Sequence, residues 1–460
     1  MPVWLTLAAA LLAVIVVVIV GQQVVAPQRP LLANANFAPE AITPNADGDT
    51  DVTLFSYTLS RNAQIWLSLE AADGTTYFFR ENQPRIPGDY RVAFSGVVDG
   101  FRLPDDNFEG EVLRRLIPDG AYTWRLRAVA DDDGESAELT GTLTISDGDS
   151  PLPLLPEFTV FPQAFTPNQD GINDRTQINV FLSKDADLDV YLQPEDGPPI
   201  FIMERQDVAR PGEAGRHSYD FDGGVDLGAD PPPDGTYTVV AFARDAVGQE
   251  IQRTAELTLT DGGKPLAQIL AQPSGATVVF EGRPYEPRFF TDSEQIGERV
   301  EPPTDPGAFS LTTLTLPLGD LLVFMLVVEN YSDVPIRTTG PEPGTVYEWE
   351  QRAATLDWLE ESGAWRVGID CQAAPYDYPW RWALGTDETL TQVEDPDTGN
   401  IYRYLPAGGR SVVWGAVRMT EITSRNPQAC WAGLIHEDVE ISLRNRNVGA
   451  RQIELVDVAE

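Results

Sequence analysis

The strongest constraint on this chain is that part of it is written twice. Thr43-Pro44-Asn45-Ala46-Asp47-Gly48-Asp49-Thr50-Asp51 returns 123 residues later as Thr166-Pro167-Asn168-Gln169-Asp170-Gly171-Ile172-Asn173-Asp174. At the same offset Leu59-Ser60-Arg61 falls on Leu182-Ser183-Lys184, and Asp73-Gly74 on Asp196-Gly197. Further along, Pro118-Asp119-Gly120-Ala121-Tyr122-Thr123 matches Pro233-Asp234-Gly235-Thr236-Tyr237-Thr238 at an offset of 115. The difference, 123 against 115, gives the first copy eight extra residues, which fall around Asn107 to Leu116. A long fixed period marks a repeated structural unit, so residues 37–148 and 158–262 must share one fold. The Pro-rich stretch 149–157 joins them.

Within each copy the apolar period is two. Ile65, Leu67 and Leu69 alternate with Trp66 and Ser68; Tyr122, Trp124, Leu126 and Ala128 alternate with Thr123, Arg125 and Arg127; Leu188, Val190 and Leu192 repeat the pattern in the second copy. Such runs, bounded by Asp-Gly and Pro-Asp-Gly turns, predict half-buried antiparallel strands. About a hundred residues of them make a two-sheet sandwich, so the class is all-β.

The opening Thr-Pro-Asn-x-Asp-Gly-x-x-Asp, the central Asp-Gly turn and the closing Asp-Gly-x-Tyr strand resemble the Ig-like domain of flagellar hook-capping (FlgD-type) proteins. Phe165 to Asp174 also resembles the start of gliding-motility-associated C-terminal domains. The likeness spans about 215 residues. The Trp-Asp-Gly usual before the last hairpin is here Phe94-Ser95-Gly96 and Phe221-Asp222-Gly223, so the core must be filled differently at that point. The resemblance implies tandem Ig-like sandwiches in an exported protein and implies no reaction.

The repeated loop has chemistry of its own. Oxygen side chains at alternating positions before a glycine resemble the first half of a calcium loop, with Asn45, Asp47 and Asp51 as one candidate set and Asn168, Asp170 and Asp174 as the other. The bidentate Glu that closes an EF-hand is missing from both. The alternative is a tight turn in which Asn and Asp accept from their own backbone amides. Calcium is the one cofactor the sequence suggests; nothing in it requires one.

Val3 to Val20 carries no charge and is long enough for a bilayer-spanning helix, so residues 1–26 read as a transmembrane signal anchor. Ala33-Asn34-Ala35 has the form of a signal-cleavage site but lies far downstream of the apolar run. A β-rich, acidic remainder then belongs outside the cytoplasm. Its 71 acidic against 32 basic residues, net −39, oppose binding to a phosphate backbone and exclude nucleic acid as a partner class. Cys371 and Cys430 are the two cysteines; in an oxidising compartment they read as a disulfide, with two buried thiols as the alternative.

Residues 263–307 read as a connector with a strand or two, and 308–460 as a third, aromatic-rich sandwich holding seven of the ten tryptophans. Tyr376, Tyr378, Trp380 and Trp382 stand at alternate positions: either a stacking platform for a sugar or peptide, or core. His436-Glu437-Asp438 contains one of two histidines in the chain, and no nucleophile-elbow, zinc-protease or P-loop pattern accompanies it. The sequence therefore predicts no enzyme. It predicts a membrane-held structural or adhesion protein whose Ig-like stalk presents the C-terminal domain to a surface protein or glycan. Carbohydrate or cell-wall binding is the second reading, and an envelope hydrolase the third.

Overall fold

A computed structural model of the chain describes residues 4, 10–17, 29–205, 210–271, 275–286, 298–304, 312–395 and 398–457. Residues 10–17 are helical with their apolar side chains exposed; most of the rest of the anchor read over 1–26 lies outside the described residues. Among the described residues no helix is long and apolar enough to cross a membrane.

The two copies are sandwiches of one topology. In the first, Leu32–Ala38, Thr53–Leu59 and Gly88–Phe94 form a three-stranded sheet. It faces a sheet ordered Ala41–Ile42, Ser136–Ile145, Gly120–Ala130, Ala63–Glu70, Thr76–Arg85. In the second, Glu157–Phe161, Thr176–Leu182 and Gly215–Phe221 make the small sheet. Ala164–Phe165, Glu250–Leu259, Gly235–Arg244, Asp187–Gln193 and Ile200–Phe201 follow the same order in the other. Alternation sends Leu67, Leu69, Trp124 and Leu126 into one core and Val190, Leu192, Val239 and Leu257 into the other. The Tyr122 hydroxyl donates to the Pro118 carbonyl, and Tyr237 donates to Pro233 at 2.7 Å. A tyrosine tied to a backbone carbonyl a few residues upstream is the tyrosine corner of Ig-like sandwiches. Paired with the shared sheet order, it makes both copies Ig-like.

The eight extra residues of the first copy are put to a specific use. Val97–Asp99 and Glu111–Leu116 form a hairpin that leaves the first sandwich, and Glu111–Leu116 pairs antiparallel with Glu250–Leu259 of the second. One sheet thus runs across the junction. The linker is clamped beneath it: buried Gln249 donates to the carbonyls of Asp149 and Pro151, both at 3.0 Å, while its own carbonyl accepts from the Leu116 amide. Lys184 donates to Asp149 at 2.6 Å and to Asp245 at 3.0 Å. Buried amides and carbonyls must find partners, and here each domain supplies them to the other.

The third domain begins earlier than the sequence reading put it. Ala267–Ile269 and Val278–Arg283, assigned to a connector, both pair with Leu321–Asn330 and belong to its first sheet, with Arg410–Arg418 and Thr345–Glu348 beyond. The wholly apolar Leu321 to Val328 is buried on both faces, which explains its lack of alternation. The second sheet runs Leu314–Pro317, Val448–Val456, Gln428–His436, Trp365–Cys371, Trp380–Ala383. A small sheet of Ile336–Thr338, Ile401–Leu405 and Thr391–Glu394 lies at the side facing the second domain.

Candidate functional site

Of the residues singled out by sequence, the second loop, with Asn168, Asp170 and Asp174, and His436 meet at the junction between the second and third domains. In the first copy the loop is self-contained. The Asp51 carboxylate accepts from the amides of Asn45, Ala46 and Gly48 at 2.8–3.0 Å; Asn45 Oδ1 accepts from Asp47, and Asp47 Oδ1 from Asp49. Desolvation pushes the Asp51 carboxyl up, but the amides of Gly48, Asn45 and Ala46 together outweigh it and hold it below the usual range. The second copy repeats the pattern: Asp174 accepts from Asn168, Asp170 and Gly171, and Asp170 from Ile172. Asn45, Asp47, Asp51, Asn168, Asp170 and Asp174 therefore point their oxygens at their own loop amides, the turn alternative to a calcium loop. Among the described residues no group of three His, Cys, Asp or Glu side chains is gathered to hold a metal ion.

What differs is the covering. The third domain closes over the second loop and grips its backbone. Arg337, buried, donates through Nε to the Asp170 carbonyl at 2.5 Å, through Nη2 to the Ser362 carbonyl at 2.6 Å, and through Nη1 to Glu361 at 2.8 Å. Tyr404 donates its hydroxyl to Asp170 Oδ2 at 2.8 Å. His436 Nε2 donates to the Gln169 carbonyl at 2.7 Å, with its ring stacked on Trp365 at 4.3 Å. Burial pushes Asp174 up to about 6, helped by the neighbouring Asp170 charge, and raises Asp170 against the pull of Tyr404, Ile172 and Arg337. Burial drives His436 down to about 4, so at neutral pH it is an uncharged hydrogen-bond donor in a sealed interface. The adjacent Glu437 is equally committed, paired with Arg381 at 2.7 Å and close to buried Arg366.

The aromatic platform is corrected by the structure. Trp380 and Trp382 are fully buried and Tyr378 is 2% exposed; Tyr376 alone faces solvent. Trp382 fits between Phe324 and Tyr347 at 4.6 and 4.9 Å and donates its indole N–H to the Thr345 carbonyl at 2.9 Å. Trp380 packs on Trp349 at 5.1 Å. A large sandwich needs wide side chains to span its two sheets, and these rings span them. Cys371 and Cys430 are cross-strand partners in the same core, bonded at 2.00 Å. The residues that sequence reasoning missed are Arg337, Tyr404 and Gln249. Each lies in an ordinary stretch whose role appears only once two domains meet.

No family model and no curated protein matches the chain. Among solved structures, similar ones include the structure giving insight into host cell surface retention of a 1.5-MDa bacterial ice-binding adhesin. It is 10% identical over 94% of this chain and 100% of its own, with a TM-score of 0.17. The D00-D0 domain of intimin is 13% identical over 50% of this chain and 100% of its own, at 0.16. The fibronectin(III)-like modules of CbhA from Clostridium thermocellum are 10% identical over 50% and 95%, at 0.18. At these scores the likenesses carry no argument; the Ig-like class rests on sheet order and the two tyrosine corners.

Proposed function

We propose that the chain is a membrane-anchored, extracytoplasmic, non-enzymatic structural protein of the adhesion kind, in which two fused Ig-like modules hold the third domain in a fixed orientation. The carrying observation is the pairing of Glu111–Leu116 with Glu250–Leu259, because a ladder of backbone hydrogen bonds across a junction resists bending as a flexible linker does not. The bonds from Arg337 and Tyr404 to Asp170 and from His436 to Gln169 tie down the next junction. The anchor is supported by Leu11, Leu12, Val14, Val16 and Val17, which leave 50–69% of their surface to solvent on a helix with no polar face, as a bilayer-covered segment would. The cross-strand cysteine pair suits export. Within this reading the finer kinship is to hook-capping and gliding-motility surface domains.

Spin labels placed on the first and second domains of the full chain test it. A narrow distance distribution is expected, broadening when Val112→Pro removes a strand residue from the pairing with Ile251. A native distribution as broad as that of the variant would remove the stalk reading.

A further inference from the structure

Beside the Arg337 and Tyr404 contacts to Asp170, a cleft of about 620 Å3 opens between the second and third domains. Its floor is one face of the small sheet. Thr391 and Val393 lie opposite Tyr404 and Tyr402, their register partners, and alternate residues of a strand share a face. The second-domain loop contributes Ile172 and Asn173 to the lining, and Pro335 and Pro406 also line it. Among the described residues its charged lining is Asp170, Asp261, Glu394 and Asp395, with no lysine or arginine. The Tyr402 ring already carries a guanidinium, that of Arg337, at 5.6 Å from its centre.

We propose that this cleft docks a basic, extended peptide segment of a partner protein, seating a lysine or arginine side chain over the tyrosine rings. The chemistry is complementary at each level. Val393 and the two prolines offer an apolar path for the methylene stem, the ring faces attract the cation, and Glu394, which is exposed, meets the charged head at the rim. An extended backbone lies along a sheet face more readily than a helix does, and the chain's net charge of −39 steers a basic segment toward it. A second copy of this chain does not fit the description. Its net charge of −39 repels a second chain carrying the same charge. The proposal goes beyond the stalk reading and rests on the cleft alone, so it stands or falls whether or not the chain is membrane-anchored.

The test is fluorescence anisotropy with a labelled short peptide alternating lysine and valine, added to the full chain in detergent at about 0.15 M salt, where long-range attraction is screened. Binding is expected, with no binding of the glutamate–valine counterpart. Glu394→Lys, and Thr391→Trp, which fills the cleft without changing charge, should each weaken it at least about fivefold. Glu81→Lys, an exposed first-domain site with the same charge change, should leave it unchanged. The idea is overturned if Glu81→Lys weakens binding as much as Glu394→Lys, since the attraction is then only net charge. It is equally overturned if Thr391→Trp has no effect, or if lysine amide competes as well as the peptide.

Discussion

Gly48 and Gly171 occupy the same place in the two copies of the repeated loop, and both have positive φ, 88° and 83°. A methyl group on Gly48 would meet nothing within 4 Å, whereas on Gly171 it would lie 2.0 Å from the Ser362 carbonyl oxygen. One loop design therefore has two surroundings: open in the first copy, plugged into the third domain in the second. Because each loop satisfies its own amides internally, it arrives preformed, and its free groups are the carbonyls of residues such as Gln169 and Asp170. The third domain reads those carbonyls with His436 and Arg337, and so a near-identical sequence can be a bare turn in one place and a docking plug in the other.

The sharpest way to break this comparison is to remove the reader. Arg337→Leu leaves the Asp170 carbonyl across the junction and the Ser362 carbonyl within the third domain without their buried donor, which should cost about 1–3 kcal/mol for each carbonyl. Amide exchange should then accelerate at 166–174 and remain unchanged at 43–51. If the first loop loses protection as well, the two are not independent.

Acid sharpens the same contrast. Asp174 has a native value near 6, raised above that of the unfolded chain, so it contributes a penalty above pH 6 that is relieved as pH falls from about 6 toward 4. His436 has a native value near 4, depressed, so its neutral buried form loses stability as pH falls from about 6.5 toward 4. Between pH 6 and 4 the two nearly cancel. Relative to the native chain, His436→Gln should gain stability over that window and Asp174→Asn should lose it, each by up to about 3 kcal/mol. Asp51→Asn should show no such gain or loss there, because its carboxyl is held below the usual range. Urea unfolding at pH 7, 5.5 and 4.5 reads the differences; parallel pH profiles for all three variants would mean the junction does not set these values.

Much of the fold was legible because the repeat and period-two alternation are properties of single strands and turns. The insertion around Asn107 to Leu116 was also legible as extra residues, but its role was not, since nothing in Glu111–Leu116 marks which domain's edge it will join. The loops were read for their side chains, whereas the third domain grips the second one largely through backbone carbonyls, which every sequence possesses. Tyr378, Trp380 and Trp382 stayed open between platform and core for a related reason. Alternation gives the period of a strand, but a residue with both neighbours covered, as in Trp365–Cys371 beside them, has no exposed face to announce. The third domain's early start was hidden because its first two strands, Ala267–Ile269 and Val278–Arg283, are short and lie in a stretch rich in Pro, Gly and Glu.

The smallest effect separates backbone strain from docking. Gly48→Ala forces a side chain into the left-handed region at an open site and should cost about 1–2 kcal/mol. Gly171→Ala carries the same strain, and its methyl also collides with the Ser362 carbonyl and approaches Arg337, adding an overpacking cost of about 1–3 kcal/mol. The difference between the two substitutions, measured by urea unfolding of the full chain, therefore isolates the docking contribution from a strain both copies share. In the background of Arg337→Leu, where the junction is already loosened, that difference should shrink toward zero while the Gly48→Ala cost stays the same. A difference that persists undiminished would place the extra cost inside the second domain, and the plug would then be no more than a turn with a close neighbour.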